Sequence, residues 1–139
     1  KRSFLTINYK MTTFLTGDIA LLLLRLAIGL IFIAHGWPKI RNLRENAKNF
    51  EGMGFKPGTF WGTLVAIVEV VGGLAIFFGL YTQLAVLLIG IEMIVGTFWK
   101  MSRGQGLIGG YELDLILLAG CIVLLALGGG MYSIEYRLL

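Results

Sequence analysis

Four apolar runs, each close to the length that crosses a bilayer, constrain this chain more than any other feature. They span roughly Ile19 to Trp37, Phe60 to Leu80, Leu84 to Trp99 and Tyr111 to Leu127. About 30 Å of hydrocarbon takes about 20 helical residues at 1.5 Å each, and these runs hold about 16 to 21. Tyr81, Thr82 and Gln83 can lengthen the third, shortest run at an interface. A soluble four-helix bundle would show a polar stripe along each helix, and these runs show none. With 57% hydrophobic residues, 14% charged and a mean hydropathy of +0.82, the 139-residue chain reads as one domain. The expected class is all-α: a transmembrane four-helix bundle with both termini on the same side.

The first run is not a signal peptide, because Arg25 interrupts it and no small-residue cleavage pattern follows. Lys1 to Lys10 are polar and precede Met11, so residues 1–16 are set aside as an N-terminal extension and 17–139 taken as the membrane domain. A net charge of +4 is compatible with nucleic-acid binding, but the basic residues flank apolar runs as in ordinary membrane proteins. Lipid is the expected partner and nucleic acid is not. Cys121 is the only cysteine, so no dithiol relay forms within the chain.

Pro38 cannot donate to the carbonyl of Ala34, so the first helix should kink or stop there. The loop Ile40 to Thr59 is the longest, and Arg41 to Phe50 can form a short amphipathic helix at the surface. The three residues Tyr81 to Gln83 force an antiparallel hairpin, and Gly128-Gly129-Gly130 stops the fourth helix. Lys39, Arg41, Arg44, Lys48, Lys56, Lys100 and Arg103 all fall in the first and third loops, which the positive-inside rule puts in the cytoplasm. The expected location is the cytoplasmic (inner) membrane.

Charges inside the apolar runs are the candidate functional residues, since each costs about 3 kcal/mol or more in hydrocarbon. At helical spacing Arg25 shares a face with Gly29, Phe32 and Gly36. Glu69 shares one with Gly62, Ala66 and Gly73, and Glu92 one with Ala85 and Gly96. Small residues mark packing faces in lipid, so the charges point inward. Arg25 stands ~9 Å and Glu92 ~12 Å from the same membrane side, which predicts an Arg25–Glu92 ion pair with Glu69 beside it. Two acids against one guanidinium leave one able to hold a proton.

His35 and Lys39, four residues apart, should meet Glu112 and Asp114 at the start of the fourth helix, near Lys100 and Arg103. His35 is the chain's only histidine, the side chain that titrates near neutrality. Either cluster also reads as structural, a bolt fixing helix register or an interfacial hydrogen-bond network. No ligand spacing suggests a metal. Trp37, Trp61 and Trp99, at run ends, read as interfacial anchors.

In these residues the chain resembles the DoxX family of small four-span membrane proteins. The likeness runs through Arg25 with Gly29 and Phe32, His35-Gly36 and Lys39, then Glu69, Gly72-Gly73 and Gly79. It continues through a glycine-rich loop into Tyr111-Glu112-Leu113-Asp114 and ends in Gly128 to Ser133, covering about Gly17 to Tyr136. The resemblance, DoxD-like in character, implies a link to quinone or to thiol and sulfur redox chemistry, in company with a redox partner subunit. No intrinsic cofactor is expected, because no haem pair, flavin motif or paired cysteines are present; a bound quinone or another subunit is the expected carrier.

The expected function is therefore a membrane subunit of a redox system. His35, Glu112 and Asp114 would act on the ligand's polar head or relay protons, and Arg25, Lys39, Glu69 and Glu92 would line the binding site. The rival class is a small transporter, channel or structural subunit, plausibly a homo-oligomer. A continuous polar path would favour transport, and a lateral opening between the first and fourth spans would favour the redox reading.

Overall fold

The structure, a computed structural model, describes the backbone of residues 2–138 and the side chains of residues 16–138. The chain forms α1 (Arg2–Arg41), α2 (Leu43–Gly52), α3 (Gly58–Phe78), α4 (Thr82–Ser102), a wide irregular turn (Leu107–Tyr111), α5 (Glu112–Leu127) and α6 (Ile134–Leu138). Four stretches are long and apolar enough to span a membrane: Thr16–Arg41, Gly58–Phe78, Thr82–Ser102 and Leu107–Leu127. They coincide with the four expected runs. The backbone of residues 2–16 continues α1, while the side chains of the expected extension, up to residue 15, lie outside the described residues.

The packing is inside-out relative to a soluble bundle. Leu23, Leu30, Val71, Phe98, Ile116 and Ile122 are exposed, while Asp18, Arg25, Glu69 and Asp114 are buried. Water would penalise that pattern and lipid does not. In lipid the association of helices rests on close packing, and glycine supplies it here. On Gly29 an added Cβ would stand 2.7 Å from the Gly73 carbonyl oxygen, and on Gly36 2.7 Å from the Glu69 Cβ. Antiparallel α1 and α3 are thereby held backbone to backbone along the small-residue faces read from the sequence.

Around the bundle α1 packs on α3, α3 on α4 and α4 on α5, while α1 touches α5 only sparingly. Ile28, Phe32, Ile76, Val86, Ile89, Cys121 and Leu124 fill the centre. Pro38 neither stops the helix nor ends the span: α1 continues to Arg41, within its last turn. The break comes at Asn42, whose Oδ1 accepts from the Glu45 N–H at 3.4 Å and caps α2. The expected amphipathic helix is therefore real. It lies on α3, with buried Asn46 donating from Nδ2 to the Gly62 carbonyl at 2.7 Å.

At the α3–α4 hairpin Gly79 takes φ 71°, and the Leu80 N–H closes on Ala75 O at 2.8 Å. Gly128, at φ 74°, ends α5. The following segment folds back on this end of the bundle. The Met131 N–H donates to Asp18 Oδ1 at 2.8 Å, and the Thr82 N–H at the start of α4 to Glu135 Oε2 at 3.1 Å.

Candidate functional site

The expected Arg25–Glu92 pair does not form. Arg25 is 1% exposed, yet its Nη2 donates to the Tyr132 carbonyl at 3.0 Å, in the segment after α5, and Glu135 is its charged neighbour. A helical side chain leans toward the N-terminus of its helix, so the long guanidinium chain reaches the near end of the bundle rather than its middle. Gly79 makes room there, because a Cβ at that position would collide with Arg25 Nη1. Arg25 thus belongs to a terminal latch with Asp18, Thr82, Ser133 and Glu135, beside an open groove lined by Asp18, Tyr81, Met131 and Glu135.

The deep acids gather with the second cluster instead. A cavity of about 670 Å³ lies among α1, α3, α4 and α5, beneath the end of α2. Its polar flank holds His35, Lys39, Glu69, Glu92, Lys100 and Asp114. Lys39 Nζ pairs with Glu69 Oε1 at 2.6 Å and Lys100 Nζ with Asp114 Oδ1 at 2.8 Å. Glu92 meets the Glu69 carboxyl and lies within electrostatic reach of Lys39 and Asp114. Glu69 Oε2, Glu92 Oε2 and Asp114 Oδ2 are buried without a hydrogen-bond partner.

The helices explain this convergence. Gly36 against Glu69 sets the α1–α3 register, which leaves Lys39 one turn further along α1 and within reach of the same acid. Asp114 sits in the first turn of α5, where the helix dipole favours an anion, and Lys100 in the last turn of α4, where it favours a cation. His35 lines the cavity and places Nδ1 2.8 Å from Ile31 O within its own helix, so Nδ1 donates and Nε2 of the neutral ring is an acceptor. Glu112 is exposed at the start of α5, outside the cavity lining. Of the seven candidates, five line one cavity; Arg25 and Glu112 do not.

Apolar and aromatic side chains complete the walls. Trp61 and Trp99 line the cavity as well as standing at span ends, so their role exceeds the anchoring expected of them. Trp99 Nε1 donates to the Met53 carbonyl at 2.9 Å, and the Arg103 guanidinium lies over the Trp99 ring at 5.2 Å. Phe50, Met53 and Phe55 thereby cover the loop end, and sequence periodicity gives no hint of them. Leu64 on α3, Leu88, Ile91 and Val95 on α4, His35 on α1 and Leu113 on α5 are lining residues that are also exposed, so the cavity reaches the outer surface of the bundle. The first and fourth spans, between which the opening is expected, thus both contribute exposed lining residues, and so do the second and third.

Chemically the arrangement offers a largely apolar chamber with acids, two ammonium groups and an imidazole on one flank. It can orient a polar head and exchange protons with it. Among the described residues, no group of three or more His, Cys, Asp or Glu side chains is arranged to hold a metal ion.

The DoxX family model matches residues 20–101. "Putative oxidoreductase CatD" of Bacillus subtilis is 29% identical over 118 residues, 85% of this chain and 86% of that protein. "Inner membrane protein YqjF" of Escherichia coli is 33% identical over 120 residues, 85% of this chain and 91% of that protein. "Uncharacterized membrane protein Rv3486" of Mycobacterium tuberculosis is 29% identical over 135 residues, with 88% and 83% covered. No solved structure matches the chain.

Proposed function

The chain belongs to the DoxX family of integral membrane proteins, and from that premise we propose that it is the membrane-embedded subunit of a redox system whose cavity holds a quinone-like molecule. It is an integral protein of the cytoplasmic membrane, in keeping with relatives named as inner membrane proteins. The observation that carries the proposal is the cavity itself. Its volume of about 670 Å³ falls within the range of small-molecule sites, about 300–1,000 Å³. Apolar walls with polar groups on one flank suit a flat ring bearing oxygens at its edge. The exposed part of its lining would let an apolar tail remain in lipid.

When bound, a quinone would supply two-electron chemistry coupled to protons. The residues of the chain do the rest. Phe32, Val65, Leu117 and Met93 would hold the ring and exclude water, while Lys39, Glu92, Asp114 and His35 would face its oxygens. His35 Nε2 and the Glu69–Glu92 pair can take or give protons at the head. Cys121 is the chain's only cysteine, so electrons would come from or go to a partner protein. A relative named as an oxidoreductase supports the redox setting. A transport path, by contrast, would have to cross the layer of Ile28, Phe32, Val86, Ile89 and Leu124 that fills the bundle between its two polar ends.

Mass spectrometry of small molecules extracted from the purified protein tests the reading. Wild type should carry a quinone-class molecule at about one per chain. A Gly96→Leu variant, which fills the cavity beside Asp114, should lose it. Bulk lipid alone in both samples would defeat the proposal.

A further inference from the structure

We infer that the cavity selects the reduced, hydroxyl-bearing form of its ligand over the oxidised, carbonyl-bearing form, with Glu92 and Asp114 accepting the hydroxyl protons in hydrogen bonds. This deepens the quinone reading above and rests on it. The argument is a count of donors and acceptors. The flank holds three carboxyl groups, Glu69, Glu92 and Asp114, against two ammonium groups, and each ammonium is engaged with one acid.

Among the described residues no cation pairs directly with Glu92, although Lys39 lies within electrostatic reach. His35 spends its Nδ1 proton on Ile31 O, leaving an acceptor at Nε2. Three buried carboxyl oxygens remain without a donor: Glu69 Oε2, Glu92 Oε2 and Asp114 Oδ2. A single proton bridging Glu69 and Glu92 would satisfy one contact and still leave Asp114 Oδ2 bare.

Geometry keeps that oxygen accessible. Gly96 opposes it without a side chain, and a Cβ there would lie 3.5 Å from Asp114 Oδ2. Asp114 is 7% exposed and Glu69 3%, so solvent does not supply the missing donors freely. A quinone can accept from the remaining N–H groups of Lys39 and Lys100, but it brings no donor to the bare carboxyl oxygens. A hydroquinone of the same shape presents two O–H donors, and a hydroxyl donating to a carboxylate is among the stronger neutral-to-charged hydrogen bonds. A ligand that leaves buried acceptors unpaired loses affinity relative to one that satisfies them.

The test is equilibrium binding of a short-tailed benzoquinone and its hydroquinone to the detergent-purified protein. The measurement is made without oxygen and read by quenching of tryptophan emission. The hydroquinone should bind at least about tenfold more tightly, the worth of one such hydrogen bond. Glu92→Gln leaves both lysine–acid pairs intact and places an amide donor on the flank, so it should shrink the preference to about threefold or less. Gel filtration of that variant shows that it remains folded. Equal affinities, or tighter binding of the quinone, would overturn the inference and leave the quinone-site reading standing. Binding of neither form would overturn both.

Discussion

At the scale of single residues, Glu69 is the position on which the site turns. Its side chain is 4% exposed and its partner Lys39 is 29% exposed, so the acid is the desolvated member of the pair. Removing the ammonium alone would leave a buried carboxyl group uncompensated, which costs more than the intact pair contributes. Lys39→Ala should therefore lower stability by about 2 kcal/mol, discounted from a fully buried pair because Lys39 reaches the surface. Adding Glu69→Gln should restore about half of that loss. Denaturant-induced unfolding in detergent micelles measures both. Equal stability of Lys39→Ala and wild type would mean that the pair is solvated and the cavity wetter than described. The sequence identifies both residues but pairs Arg25 with Glu92 and sets Glu69 beside them, whereas Glu69 pairs with Lys39. Helix face and depth together match Arg25 with Glu92, and neither says which way a seven-atom side chain leans. The carbonyl of Tyr132 that receives Arg25 comes from a glycine-rich segment whose backward fold no periodicity reveals.

At the scale of elements, the α1–α3 pair holds the site in register. The glycine faces were readable because a 3.6-residue repeat puts Gly29 with Gly36, and Glu69 with Gly73, on one side of each helix. Their closeness was not readable. An added Cβ on Gly73 would stand 2.9 Å from both the Gly29 oxygen and the Ile33 nitrogen, backbone atoms that cannot swing aside. Gly73→Ala should thus push α1 from α3 and destabilise the bundle by about 1–3 kcal/mol, the usual cost of overpacking. Gly72→Ala meets only the flexible end of Ile89 and should cost less. The comparison is made by thermal unfolding of the two variants side by side. If both behave alike, the close crossing is not what holds the pair together. The same contrast explains Pro38. A proline in the last turn forfeits one hydrogen bond where few remain, so α1 runs on to Arg41 and Asn42 makes the break.

At the scale of the whole molecule, four apolar helices enclose a chamber that opens into lipid and is covered at its loop end. The four spans were legible because bilayer thickness fixes their length, and the inward charges because hydrocarbon penalises any other placement. The chamber was not, because a void is made by side chains that fail to meet. Phe50, Met53, Phe55, Leu88 and Trp99 come together from three elements without any repeating signal. The central claim is that a small amphiphilic molecule occupies this chamber, entering from the lipid-facing surface. Photoaffinity labelling with a short-tailed benzoquinone carrying a diazirine, followed by peptide mass spectrometry, addresses it most directly. Labels should concentrate on α4 from Leu88 to Trp99 and on the facing residues of α3, and excess unlabelled quinone should suppress them. Labels spread evenly over lipid-facing positions such as Leu23, Leu30, Ile116 and Ile122, unmoved by competitor, would contradict the account.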